Sequence, residues 1–240
     1  MILPPFNLPE GIILLITDEL GAPGKFLLHR ALAQQLKADK TAIILSVSES
    51  LARWKALATK SNLNLEQRLN KGSLTFIDAL NHIQPNFESP NQALGLDIIF
   101  EQIRSRLDQS TDESPLVILD DLASLEWMGF PTISLTRFLR ALRALCLKKN
   151  ATLIILQHIL NPEDPQELLR NMLQISTYHL EVRPLSSGRS GTVSGEVALH
   201  LGFSAPPNPV KLIPRSAALQ YRLTDTGPEF FAKGTSEVVL

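Results

Sequence analysis

The sequence predicts an α/β protein: a mostly parallel sheet flanked by helices, with antiparallel strands towards the C-terminus. Short apolar runs without alternation, which are typical of strands buried on both faces, recur through the first two thirds of the chain. Amphipathic stretches separate these runs, as in a parallel sheet whose strands are joined by helices. After residue 176, strand patterns follow one another without helices between them.

The composition is that of an ordinary globular protein. The chain has 240 residues, of which 44% are hydrophobic and 20% charged, with a net charge of -1. We therefore expect a single domain over residues 1–240, without a general affinity for nucleic acids or membranes. The single cysteine, Cys146, excludes an internal disulfide and fits a reducing compartment. No apolar run reaches the ~20 residues of a membrane span, and the N-terminus lacks a signal-peptide pattern. We expect a cytoplasmic protein, with the nucleus as a second location.

The strands of the parallel part are predicted from their apolar runs. They lie at residues 12–17, 41–47, 74–77, 116–119 and 151–156. In the C-terminal part, strands are predicted at residues 176–182 and 193–201 around a Gly/Ser loop, and at 218–223 and 229–232 as a hairpin. A proline-rich connector at residues 205–214 separates the two pairs.

The helices are predicted from apolar positions that fall on one face and from residues suited to helix ends. They lie after residue 26, at 49–60 with Ser48 as N-cap, at 62–70 before Gly72, across the stripe from Leu96 to Leu107, up to Trp127, at 133–149 and at 163–173. Residues 82–91 contain two prolines and are predicted to form a loop.

A degenerate phosphate-binding loop is predicted between the first strand and the first helix. In the P-loop pattern G-x-x-x-x-G-K-[ST], backbone groups cradle phosphates, Lys reaches them and a hydroxyl ligates Mg²⁺. Gly24 and Lys25 match this pattern, whereas Glu19 replaces the first glycine and Phe26 replaces the hydroxyl residue. A carboxylate repels a triphosphate and Phe cannot ligate a metal, so we expect neither a cofactor nor a metal. Lys25 could contact an anion, but a salt bridge beside Glu19 or a solvated Lys is preferred.

Three further polar residues stand where an active P-loop ATPase carries its other functional groups. Asp120 ends a strand, where a carboxylate can hold Mg²⁺, although an N-cap for the next helix is preferred. Glu49 occupies the place of a catalytic base in some ATPases, or is a first-turn helix acid. Gln157 stands where a γ-phosphate sensor lies, or is a polar residue leaving a buried strand. We predict no catalytic residue.

Two groups of arginines are candidate contact residues. Arg183 and Arg189 flank or lie within the Gly/Ser loop, where they could contact a phosphate backbone, or could be ordinary surface arginines. Arg137, Arg140 and Arg143 lie on the polar side of the long predicted helix. They form either a solvated face or part of a subunit interface, where Arg is enriched.

Two short segments, together with the degenerate loop, resemble a known family. The segments are Phe-Phe-Ala-Lys-Gly at residues 230–234 and Leu-Asp-Asp-Leu at 119–122. They are similar to the Elongator complex protein 6 family, and the resemblance extends over nearly the whole chain in order and length.

This resemblance implies a RecA-like fold without working nucleotide motifs and without catalysis. It also implies a heterohexameric ring with Elongator proteins 4 and 5, contact with the core Elongator subunits, and binding of tRNA in support of wobble uridine modification. The resemblance assigns no catalytic residue. Two alternatives stay open: a divergent active ATPase that uses Lys25, Asp120 and Gln157, or a recombinase paralogue.

Overall fold

Nine strands are present in the part of the chain that the computed structural model describes: residues 1–79, 95–161, 166–185, 188, 190, 192–207, 209–225 and 227–233. The strands are β1 (Ile13–Glu19), β2 (Ala42–Ser46), β3 (Leu74–Asp78), β4 (Leu116–Leu119), β5 (Thr152–Ile159), β6 (Tyr178–Arg183), β7 (Gly195–Leu201), β8 (Leu219–Thr224) and β9 (Gly227–Phe231). They form one sheet in the order β3-β2-β4-β5-β1-β6-β7-β8-β9.

The first six strands are parallel and the last three join them antiparallel, so the predicted fold class is confirmed. The helices that connect them are α1 (Lys25–Lys37), α2 (Leu51–Lys60), α3 (Leu65–Asn70), α4 (Leu96–Gln109), α5 (Leu122–Trp127), α6 (Thr132–Lys148) and α7 (Glu167–Ile175). None of the helices in these ranges has the length and apolar character to cross a bilayer.

The sheet separates two apolar layers, and β1 contributes to both. Leu14 and Ile16 point into the layer beneath α1, α2 and the C-terminal strands. Ile13 and Leu15 point into the layer beneath α4 to α7. This alternation follows from the period of two along a strand, and it explains why the strand sequences are apolar throughout.

Several predicted helix ends differ from the structure. The N-cap of α2 is Ser50, whose side chain accepts the Arg53 amide, and not Ser48. The N-cap of α3 is Asn64 rather than a residue near 62. Helix α7 begins at Glu167, and residues 162–165 lie outside the described ranges. In each case several side chains could serve as a cap, and the sequence alone did not select among them.

Other predicted boundaries are confirmed. The stripe from Leu96 to Leu107 is buried on one face of α4. Gly72 follows α3 with a φ of +73°, the left-handed conformation that favours glycine after a helix. The predicted loop at 82–91 lies outside the described residues, as does the end of the family-like segment from residue 234.

An N-terminal segment that the sequence pattern did not reveal packs against the C-terminal hairpin. Leu3, Phe6 and Leu8 are buried in the core. The ring of Phe6 meets that of Phe230 edge-on, with centroids 5.4 Å apart, and the Leu3 amide donates to Gln34 Oε1 of α1 at 3.0 Å. The two ends of the described chain therefore meet beside α1.

Candidate functional site

The loop between β1 and α1 holds a carboxylate of this chain at its helix end. Gly24 is the N-cap of α1, and its amide donates to Asp18 Oδ2 at 2.6 Å. Asp18 is only 1% exposed. A side chain at Gly24 would approach Asp18, Val182 and Ile16 to between 3.2 and 3.4 Å, so glycine permits this close packing. The N-terminus of a helix favours an anion, and here a backbone donor at that end is engaged by Asp18.

His158 of β5 lies between two buried carboxylates. Its Nδ1 atom is 2.5 Å from Asp18 Oδ1, and its Nε2 atom is 3.6 Å from Asp121 Oδ2. The contacts with Asp121 and Asp18 raise the pKa of His158 to about 9, against the effect of burial. The imidazole is therefore protonated at neutral pH and offsets part of the carboxylate charge. This cluster joins the carboxyl ends of β1, β4 and β5.

Lys25 is engaged by residues that follow β2. Its ammonium group donates to Ser48 Oγ at 2.8 Å and lies 3.4 Å from Glu49 Oε1. The expected partner Glu19 instead lies 3.3 Å from Arg183 Nε. The prediction of a Glu19 salt bridge was therefore wrong in its partner, because Glu19 and Lys25 leave the loop in different directions.

Phe26 belongs to an aromatic group and not to a metal site. Its ring centroid lies 4.6 Å from that of Tyr221 in β8 and 6.4 Å from that of Phe230 in β9. Phe26 is partly buried against the core beneath α1. The residue at the hydroxyl position of the motif thus attaches the first helix to the C-terminal hairpin.

Asp120 and Asp121 have different roles from those predicted. Asp121 is the N-cap of α5, accepting the Ser124 amide at 3.0 Å, so the assignment of this role to Asp120 was wrong by one residue. Asp120 accepts the Val47 amide at 2.7 Å and a short hydrogen bond from Ser46 Oγ. Burial raises the pKa of Asp120 to about 6, although these hydrogen bonds favour its ionised form. Asp120 therefore connects the end of β4 to the end of β2 through hydrogen bonds.

Glu49 and Gln157 are also held by neighbouring residues. Glu49 precedes the α2 N-cap, so its interpretation as a first-turn helix acid was wrong; it pairs with Lys25. Gln157 lies within β5 and is fully buried, and its amide nitrogen is 3.4 Å from Gln166 Oε1. The side-chain oxygen of Gln157, Oε1, is buried without a hydrogen-bond partner in the described part of the chain.

The candidate arginines lie in separate environments. Arg183 ends β6, is 43% exposed and pairs with Glu19, whereas Arg189 lies outside the described residues. Arg137 and Arg140 are exposed on α6. Arg143 instead donates from Nε to the Ile175 carbonyl at 3.0 Å and so closes the end of α7.

A second polar cluster, which sequence reasoning missed, lies on β6 and β7. Arg215 donates two hydrogen bonds of 2.7 Å to Glu181, and His200 Nε2 lies 3.0 Å from the same carboxylate. Burial opposes ionisation of Glu181, but these hydrogen bonds outweigh it and lower the pKa to about 2. The cluster satisfies its own charges and contains no nucleophile with an adjacent base.

Comparison with known sequences gives the family. A sequence model of the family described as Elongation complex protein 6 matches residues 3–225. The chain belongs to this family. It is 27% identical to Elongator complex protein 6 of Danio rerio over 98% of this chain and 96% of the relative. The corresponding human protein is 24% identical with the same coverage, and that of Xenopus tropicalis is 27% identical over 90% and 89% of the two chains.

Restoring the two altered motif positions is expected not to create an ATPase. The double variant Glu19→Gly with Phe26→Thr leaves Asp18 on the Gly24 amide and Lys25 beside Glu49. We expect phosphate release from Mg-ATP to stay at the background rate, with thermal unfolding used to confirm a folded protein. Hydrolysis that disappears on further substitution of Lys25→Ala would contradict this reading of the loop.

The His158 cluster predicts a specific pH dependence of stability. Because the pKa of His158 rises from 6.5 to about 9 on folding, its contribution is complete below pH 6.5 and is lost as the pH rises through 9. After allowance for solvent screening, we expect the free energy of unfolding to fall by roughly 2 kcal/mol across this window.

Chemical denaturation of the wild type and of His158→Gln at several pH values measures this effect. Burial lowers the pKa values of His29 and His179 to about 4 and raises that of Asp120 to about 6. These three groups therefore change the stability below pH 6.5, outside the range in which His158 acts. The variant should show a flatter dependence between pH 6.5 and 9. Equal slopes for the two proteins would refute the charged state assigned to His158.

Proposed function

We propose that this chain is a non-catalytic subunit of the Elongator complex that forms a heterohexameric RecA-like ring with Elongator proteins 4 and 5. One observation carries the absence of catalysis: the Asp18 carboxylate accepts the Gly24 amide at the helix end where a P-loop ATPase receives phosphate. Membership of the family, whose relatives are named Elongator complex protein 6, supports the assignment to Elongator.

An exposed face at the start of α6 supports a role in assembly. Trp127 at the end of α5 is 55% exposed and Ile133 at the start of α6 is 59% exposed. Their neighbours are in contact, since Thr132 Oγ1 donates to Glu126 Oε1 at 3.1 Å, so the two apolar side chains belong to adjoining segments. Arg137 and Arg140 continue the Ile133 face of α6 at helical spacing and are exposed. Apolar residues combined with Arg are typical of subunit interfaces. We assign this face to contact with a ring partner.

The ring binds tRNA and supports wobble uridine modification carried out by another subunit. Arg183 and Arg189 are the proposed tRNA contacts: Arg183 ends β6, and Arg189 falls in the sequence between β6 and β7. Arg183 is partly exposed beside Glu19, so it can exchange this ion pair for a phosphate. The protein acts in the cytoplasm, with the nucleus as a second location.

The alternatives, an active ATPase or a recombinase paralogue, are less well supported. The ATPase requires Lys25, Asp120 and Gln157 to serve a nucleotide, and recombinase paralogues often keep a usable P-loop. Lys25 is paired with Glu49, Asp120 is bonded to the end of β2, and Gln157 is buried beside Gln166.

Co-expression with Elongator proteins 4 and 5 is expected to yield an assembly with the mass of six chains, measured by size-exclusion chromatography with light scattering. Trp127→Ser with Ile133→Ser should weaken this assembly about tenfold, because it removes the apolar part of the proposed interface. Leu201→Ser with Leu223→Ser is the matched control, since these two apolar residues are also partly exposed but lie on β7 and β8. A chain that stays monomeric beside both partners would contradict the ring.

The tRNA contacts are tested by titrating the assembled ring with tRNA at several salt concentrations. An Arg183→Ala/Arg189→Ala variant should bind tRNA more weakly. The slope of its log affinity against log salt concentration should fall by an amount that corresponds to about one to two phosphate contacts. Arg104→Ala/Arg106→Ala on α4 removes the same charge from exposed positions and serves as the control. Unchanged affinity and salt slope in the first variant would exclude Arg183 and Arg189.

A further inference from the structure

A cavity of about 700 Å³ lies between α1, the end of α2 and the hairpin of β8 and β9. Its apolar lining includes Phe26, Leu57 and Pro228. Of the degenerate phosphate-loop motif, Phe26 lines the cavity, whereas Gly24 and Lys25 are not among its described lining residues. The volume falls within the range of small-molecule sites in proteins.

The charged side chains around this cavity are mostly cationic. Arg30, Lys37 and Lys60 line it, and Asp225 is the sole carboxylate among its described lining residues. Lys37 and Lys60 lie in the last turns of α1 and α2 and form no salt bridge with a described residue. The cavity therefore offers positive charge that the described part of the protein leaves largely uncompensated.

Arg30 is the deepest of these cations. It donates from Nη1 to the Pro228 carbonyl at 3.1 Å and lies over the Phe230 ring, 5.5 Å from its centroid. Burial is the cause that lowers the pKa of Arg30, and no described carboxylate forms a salt bridge with it. Burying a guanidinium group in this way is costly, and an anion beside it would offset that cost.

Phe26 gives the cavity an aromatic wall next to these cations. Its ring lies against that of Tyr221, with centroids 4.6 Å apart, and the side chain is only partly buried. An aromatic ring beside Arg and Lys suits a ligand that combines a flat ring with a phosphate, because the ring stacks while the cations hold the anion.

We propose that this cavity binds a nucleoside phosphate, with the base against Phe26 and the phosphate held by Arg30, Lys37 and Lys60. The ligand is either a free nucleotide or one nucleotide of a single strand, since the two present the same chemistry. All the residues named for this site belong to one chain and exclude Gly24 and Lys25 of the phosphate loop, so the isolated full-length chain is sufficient to test it.

The test is a calorimetric titration of the isolated chain with AMP, adenosine, inorganic phosphate and a short oligoadenylate. AMP should bind with an affinity at least about tenfold higher than that of adenosine or phosphate, because both halves of the ligand are recognised. Tighter binding of the oligoadenylate than of AMP would identify a strand as the source, and weaker binding would identify the free nucleotide.

Two variants with a matched control locate the binding. Lys37→Gln/Lys60→Gln should weaken AMP binding about tenfold, whereas Lys148→Gln/Lys211→Gln, which removes the same charge from exposed sites outside the cavity, should leave it within about twofold. Phe26→Leu should reduce the affinity for AMP towards that for phosphate without changing phosphate binding. The phosphate titration also shows that this variant retains the folded cavity.

Two results would overturn the proposal: no AMP or oligoadenylate binding at millimolar concentration, or AMP binding that is insensitive to the Lys37/Lys60 change. Neither result affects the ring, which is measured by co-assembly with the partner subunits.

Discussion

The loop end of the sheet depends on His158, which forms a hydrogen bond with Asp18 and an ion pair with Asp121. Each carboxylate is almost fully buried, and each side chain comes from a different strand end. Removing one partner from such a buried charged cluster typically costs about 3–5 kcal/mol, because a charge is left uncompensated. The cluster fixes the position of Asp18, and Asp18 in turn engages the Gly24 amide. The turn between β1 and α1 is thereby held by contacts within the protein.

The same loop connects this cluster to the C-terminal hairpin. Lys25 points to the residues after β2, while Phe26 packs against Tyr221 and Phe230. Phe230 also contacts Phe6 of the N-terminal segment. The two residues that follow Gly24 therefore bind the first helix to opposite parts of the structure. These contacts give the turn between β1 and α1 a structural role.

The fold was largely predictable from the sequence because its signals are local. Apolar runs and helical stripes, such as Leu96 to Leu107, depend on neighbouring residues, and the parallel order follows from their alternation. The site was less predictable because its contacts join distant residues. Asp18 and His158 are 140 positions apart, and no local pattern signals their pairing. The same reason explains why Glu19 was matched with Lys25 rather than with Arg183.

Asp18 engages the Gly24 amide and Glu49 pairs with Lys25, so we expect the β1–α1 loop to offer neither group to a nucleotide. The measurement is to record the backbone amide resonances of residues 17–26 during separate titrations with Mg-ATP and AMP, in the wild type and in Lys25→Ala. The Gly24 and Lys25 amides should shift no more with millimolar Mg-ATP than with AMP, which reports any binding in the cavity beside α1. Additional saturable shifts with Mg-ATP that disappear in Lys25→Ala would contradict this expectation.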